Sequence, residues 1–181
     1  MSARDWLDAK FGAGYHLQLC REVDPSFPDR ILPGEWYPID PIIHTLARAV
    51  DDVDGVDSLE DLTEMLAMEN AKNDLRGVYR AFLWVASPRM FLRAANTIWA
   101  NYTDLGVITD PQNEPGRFTT WLNNIPEAYL PWVAGAWKGF LRPAIEMAGG
   151  ANPTATVLER KPDPASDGNW KLLYQLTYRG S

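Results

Sequence analysis

Reactive side chains are scarce in this chain. It holds one cysteine, Cys20, and two histidines, His16 and His44, among 181 residues. A single cysteine excludes an internal disulfide framework and any multi-cysteine metal site. Two histidines leave zinc short of ligands, and no carboxylate stands at a metal-ligand spacing beside them, so no metal is expected. The basic residues are scattered singly and the net charge is −7, which argues against nucleic acid and against an anionic membrane surface. No apolar run reaches the roughly 18 residues of a membrane span. The polar start MSARDWLDAK does not read as a signal peptide, so a cytoplasmic location is expected. Also missing are a G-x-S-x-G elbow, a glycine-rich phosphate loop and an H-E-x-x-H helix.

Tryptophan, by contrast, is abundant, with eight residues in a chain that is otherwise 46% apolar and 23% charged, ordinary values for a globular domain. The size suits one domain over residues 1–181. Its organising stretch is Tyr129 to Gly150. There Leu130, Val133, Trp137, Phe140, Leu141, Ala144, Ile145 and Ala148 recur at helical spacing. Pro131 suits the first turn and Gly149-Gly150 the left-handed stop. Gly135 and Gly139, four apart, leave room for another backbone, and Pro143 predicts a bend.

Around this helix the chain divides into three parts. Residues 1–38 read as an irregular arm because of Pro25, Pro28, Pro33 and Pro38, with Gly14 to Val23 a short strand and Trp36 and Tyr37 anchoring the arm. Residues 39–105 read as helical. Asp40-Pro41 opens one helix, and the acidic run Asp51 to Asp57 ends it as a solvated turn, its aspartates out of register for a calcium loop. Ser58 with Asp61 opens a second helix that runs toward Val85, with a hinge near Asn70–Asn73 or Gly77. Ser87-Pro88 restarts the chain as a helix carrying Phe91, Leu92, Ala95, Ile98, Trp99 and Tyr102 inward. Residues 106–181 read as strand, strand, central helix, strand, strand, the last pair a hairpin of Thr154 to Lys161 with Trp170 to Tyr178. The fold class is therefore α+β: an N-terminal helical layer on a four-stranded antiparallel sheet, with a long helix between the strand pairs.

No residue set reads as catalytic. His44 lies between Ile43 and Leu46 in a predicted helix and reads as structural. Cys20 stands four residues from His16, close enough to pair, but without an orienting Asn or Asp a buried inert thiol is expected. The aromatic residues carry the positive hypothesis. Trp84, Trp99, Tyr102, Trp121, Trp137 and Phe140 fall on elements that should pack together and are the candidates for an apolar ligand pocket.

The order of motifs resembles a known group. LPGEWYPID, the stretch YRAFLWVASPRMFLRAANTIWANYTDLG, NNIPEAYLPWVAGAWKGFLRPAIEMAGG and the closing DGNWKLLYQLTY are similar to an uncharacterised family found mainly in myxobacteria. That family in turn resembles the 4-vinyl-reductase domains, the haem-nitric-oxide-binding domains and the small subunits of the TRAPP tether. The resemblance covers roughly residues 30 to 178 and rests on Trp36-Tyr37-Pro38, Ser87-Pro88-Arg89, Trp99, Tyr102, Gly106, Gly139, Gly149 and Gly168. It implies a helical layer on an antiparallel sheet, frequent dimers and an apolar cavity for a small molecule or lipid. Haem-binding relatives carry a proximal histidine on a helix and a Tyr-x-Ser-x-Arg motif. This chain has neither, which argues against haem and leaves no expected cofactor. Cysteines that bind metal in the last hairpin of other relatives are absent between Leu158 and Leu173. The expectation is a non-enzymatic sensing or interaction domain of bacterial signalling type, binding an apolar small molecule or lipid, with a homodimer or protein partner. The alternatives are a ligand-free dimerisation scaffold, an enzyme built on His16, Cys20 or His44, or a haem-based sensor.

Overall fold

A computed structural model describes residues 3–30, 36–76 and 87–180. Its first two elements are helices, α1 (Ala3–Phe11) and α2 (Tyr15–Val23), where the sequence suggests an irregular arm and a short strand. The prolines behind that expectation all follow residue 24, so they restrict what comes after the helices. In α2 the buried residues are His16, Leu19 and Cys20, a helical stripe in which a histidine takes one of the three positions. Trp36, expected as an anchor of the arm, is 68% exposed.

Helix α3 (Asp40–Ala49) carries Pro41 in its first turn and buries Ile43, Thr45, Leu46 and Ala49. A 3-10 turn at Val50–Asp52 takes up the start of the acidic run, and Tyr15 Oη donates to Asp52 Oδ2 at 2.6 Å. Helix α4 (Leu59–Arg76) starts with the capping pair read from the sequence. The Asp61 N–H donates to Ser58 Oγ at 3.1 Å, and Ser58 Oγ donates to Asp61 Oδ2 at 2.6 Å. The helix passes through Asn70–Asn73 without a break. The expected continuation through Gly77 and Trp84 lies outside the described residues.

Ser87 caps α5 (Pro88–Arg93), accepting from the Met90 N–H at 3.3 Å. Helix α6 (Ala95–Ala100) follows at once, and between them they bury Phe91, Leu92, Ala95, Ile98 and Trp99. Strands β1 (Val107–Glu114) and β2 (Arg117–Pro126) form a hairpin that turns tightly at Gly116, φ +74°. Asp110 and Pro111 lie within β1, at a register shift between Thr109 and Gln112, with Asp110 at φ 51°. After the central helix α7 (Leu130–Met147) come β3 (Ala151–Pro162) and β4 (Asn169–Arg179). The sheet is antiparallel throughout, in the order β1-β2-β4-β3. Pro143 does not end α7, which stops where Gly149 (φ +91°) sends its N–H to Glu146 O at 3.1 Å and Gly150 N–H reaches Ile145 O at 2.9 Å.

Two hydrophobic clusters result. One joins α5, α6, α7, the end of α4 and the inner face of the sheet. The other joins α1, α3, Val53 and the first half of α4 through Leu7, Leu46, Ala49, Leu62 and Leu66. Helix α4 belongs to both, and Trp132 of α7 packs against both. The α4–α7 seam is backbone on backbone. A Cβ on Gly135 would collide with the Glu60 carbonyl, and one on Gly139 with the Glu64 carbonyl. Beside the glycines Lys138 Nζ bridges Glu60 at 2.8 Å and Glu64 at 2.7 Å, while Arg142 reaches Glu64 at 3.0 Å. Burial pulls the Lys138 ammonium down, but its hydrogen bonds to both carboxylates outweigh this and leave its pKa raised.

Candidate functional site

Just beyond the glycines, α4 and α7 flank a cavity of about 270 Å³. Ala67, Asn70 and Ala71 line it from α4, Ile98 and Trp99 from α6, Tyr102 from the turn after α6, and Trp132, Ala136, Trp137 and Phe140 from α7. The volume falls just below the roughly 300–1,000 Å³ of small-molecule pockets, and the apolar lining fits that class.

The rings hold one another in fixed relations. Trp99 meets Trp137 edge-on at 5.2 Å and 75°, and Trp132 at 6.5 Å. Trp137 lies nearly parallel to Phe140, 6.4 Å away and 12° apart, and Tyr102 meets Phe140 at 5.4 Å. Two rings are tethered by hydrogen bonds: Trp99 Nε1 donates to Leu105 O at 2.7 Å, and Tyr174 Oη, behind Trp137, donates to Val133 O at 3.1 Å. A rigid aromatic set of this kind keeps a space that flexible aliphatic chains would close.

Four of the aromatic residues singled out in the sequence, Trp99, Tyr102, Trp137 and Phe140, are therefore brought together. Tyr102 remains 43% exposed, at the edge of the set. Trp121 is not part of it. On β2 the buried residues are Phe118, Thr120, Leu122 and Ile125, so Trp121 points to the opposite face of the sheet. There Lys161 Nζ and Lys171 Nζ stand 4.5 and 4.7 Å from its ring. Trp84 lies outside the described residues. Trp132, an aromatic residue of the same predicted helix, joins the lining, and sequence reasoning missed the small residues Ala67, Ala71 and Ala136. The recurrence of alanine on α4 opposite tryptophan on α7 was the available signal.

The sparse reactive residues sit elsewhere. His16 and Cys20 share one face of α2, with the sulfur 3.7 and 3.8 Å from the two ring nitrogens, and Thr45 Oγ1 donates to Cys20 Sγ at 3.3 Å. All three are buried. Burial lowers the His16 pKa and raises that of Cys20, so both stay neutral and the thiol stays protonated. His44 is exposed. Among the described residues no group of three His, Cys, Asp or Glu could hold a metal ion, and no helix is long and apolar enough to cross a membrane.

No family model matches the chain, and no curated protein does. Solved structures do. An H-NOX mutant carrying 4-cyano-L-phenylalanine superimposes with a TM-score of 0.71 over 97% of this chain and 92% of its own, at 12% identity. An Fe(II) unliganded H-NOX protein from K. algicida gives 0.69 over 98% and 92%, at 12% identity. An oxygen-binding H-NOX domain related to soluble guanylate cyclases, in its oxygen complex, gives 0.60 over 92% and 93%, at 13% identity. The architecture is thus the H-NOX fold. This overturns the expectation of no cofactor, which dismissed haem because motifs were missing. The fold itself is one whose solved examples are described through haem distortion and haem redox potential.

Proposed function

We propose that this chain is a non-enzymatic sensor domain of signalling type, holding a small, mostly apolar ligand between α4, α6 and α7. The observation that carries this reading is the aromatic cavity on the seam where the two hydrophobic clusters meet, with Trp132 touching both. A ligand there contacts α4 and α7 together, so any packing of the two helices that it prefers becomes more populated. That shift is the signal offered to a partner.

Haem is the first ligand to test, because the solved structures sharing the fold are described as haem or iron proteins. The indole and phenyl faces offer flat stacking surfaces, and a cavity of about 270 Å³ would take in one edge of a porphyrin. Among the described lining residues Tyr102 is the only ionisable one, and a phenolate is one of the axial donors haem accepts. No histidine is among the described lining residues, so of these Tyr102 is the one that could ligate an iron held there. Bound haem would supply a metal centre for a diatomic gas; the chain's own part is to stack on the ring and exclude water. Kinship with 4-vinyl-reductase and TRAPP-type domains, a myxobacterial origin and a homodimeric state are finer readings that rest on the sequence resemblance.

Native mass spectrometry with an absorbance scan, followed by titration with haemin and with the uncharged ketone 1-tetralone, tests the reading. A bound mass lost on denaturation is expected, or saturable binding of either probe with quenched tryptophan emission. A Soret band that moves in Tyr102→Phe would assign the axial donor. A chain that carries nothing and binds neither probe is not a ligand sensor, and the same spectra report whether it is a dimer.

A further inference from the structure

The outer face of the sheet carries an apolar pair that neither hydrophobic cluster uses. Trp121 of β2 and Leu173 of β4 stand opposite each other in register. They alternate with the buried Thr120, Leu122, Leu172 and Tyr174, so they point away from α7, and they belong to neither cluster. Both are half-buried, which leaves part of each in water.

Two lysines frame this pair. Lys161 and Lys171 face each other directly across β3 and β4, an arrangement of like charges that costs stability in a sheet. Lys161 Nζ has Glu159 Oε1 at 2.8 Å. Lys171 has no carboxylate within ion-pair distance among the described residues, and the two ammonium groups rest 4.5 and 4.7 Å from the Trp121 ring. Farther along the sheet Glu114 and Arg117 stand opposite each other and offset one another. The local sign is therefore positive, in a chain whose net charge is −7.

From the uncovered Trp121–Leu173 pair and the unanswered ammonium beside it, we propose that this face docks an acidic amphipathic helix of a partner protein. The spacing suits one. Trp121 and Leu173 lie one row from Lys171, two residues or about 7 Å along the strand. Residues four apart on a helix are separated by about 6 Å along its axis. An apolar residue seated on Trp121 and Leu173 thus brings an Asp or Glu one turn away to Lys171 and Lys161. Charge also sets the orientation, because the acidic remainder of the chain repels such a helix and the basic spot attracts it. A phosphate backbone calls for a longer run of cations than two lysines. The face lies across the sheet from α7 and the cavity, so the proposal does not rest on the sensor reading and stands for a chain that binds no small ligand.

The experiment selects displayed random-sequence helical peptides on the whole chain. The selected peptides are expected to carry Asp or Glu one turn from a large apolar residue. One of them, labelled and followed by fluorescence anisotropy, should bind about tenfold more weakly to Lys171→Glu and roughly threefold more weakly to Trp121→Ala. Lys10→Glu makes the same charge change on the exposed face of α1 and should leave binding unaltered. The composition selected by the unaltered chain tests the idea even if a variant fails to fold. An empty selection, neutral or basic peptides, or binding that survives both Lys171→Glu and Trp121→Ala would overturn the proposal. Two other occupants would overturn it as well. Phosphatidylserine vesicles held by the unaltered chain and released by Lys171→Glu would make this a membrane face. An oligomer in sedimentation velocity that Lys171→Glu dissociates would make it a contact between copies of this chain.

Discussion

The two hydrophobic clusters solve the same packing problem with different materials. Around α7 and the sheet the buried set is rich in large rings, Phe91, Trp99, Phe118, Trp137, Phe140 and Tyr174. Around α1 and α3 it is aliphatic and small, with Leu7, Leu46, Ala49, Val53, Leu62 and Leu66. Aromatic side chains have few rotamers and prefer tilted or edge-on contacts, so a cluster of them settles into a framework with gaps. Leucine and valine conform to one another and close up. The cavity lies where the first kind of packing borders the second.

The most damaging way to break this comparison is to push the clusters apart at α4, which serves both. Gly135→Ala combined with Gly139→Ala places two methyl groups against the Glu60 and Glu64 carbonyls. The expected cost is about 3 kcal/mol, read as a lower urea midpoint, with probe binding weakened as α4 and α7 separate. An unchanged midpoint would show that the seam yields easily. A smaller effect is expected from Leu7→Ala, fully buried in the aliphatic cluster. Its cost should be about 2 kcal/mol, the low end for such truncations, because a short terminal helix can settle into the gap. Hydrogen exchange should show α1 to α3 losing protection while β2 and β4 keep theirs. Equal loss in both regions would mean the clusters unfold as one.

The smallest effect is a change in the pH profile. Burial holds the His16 pKa below its ordinary value, so between the folded value and about 6.5 the unfolded chain binds the extra proton. That contribution to stability is fully present above the unfolded value and is lost as pH falls toward the folded one. Thermal melts from pH 7 down to 5 should therefore fall less steeply for His16→Gln than for the unaltered chain. Parallel slopes would show that His16 does not contribute.

How far the sequence revealed this molecule differs between the same two regions. Helix α7 was legible because every residue of its stripe from Leu130 to Ala148 is both apolar and buried. The capping residues Ser58 and Ser87 and the final hairpin were legible because their chemistry is local. The N-terminal helices were not: α1 is only nine residues long with a weak apolar period, and α2, although amphipathic, is equally short and sets a histidine and a cysteine on its buried face. At the site, Trp137 and Phe140 could be found as aromatic residues on a strongly periodic helix. Trp121 was wrongly grouped with them, although its alternation with Phe118 and Leu122 already placed it on the other face of β2. That Trp137 Nε1 has no hydrogen-bond partner depends on where neighbouring side chains fall in three dimensions, and no sequence pattern encodes it.

The glycine seam gives α4 and α7 the geometry of a caliper. At Gly135 and Gly139 the two main chains rest directly on each other, with no side chain that could rearrange to alter their spacing. That contact is the zero of the instrument. The jaws are Ala67 to Ala71 on one helix and Ala136 to Phe140 on the other, with the cavity between them. Under the proposed sensor reading, a guest there would be measured against a fixed reference within the fold, and its size would be expressed as an angle between two helices.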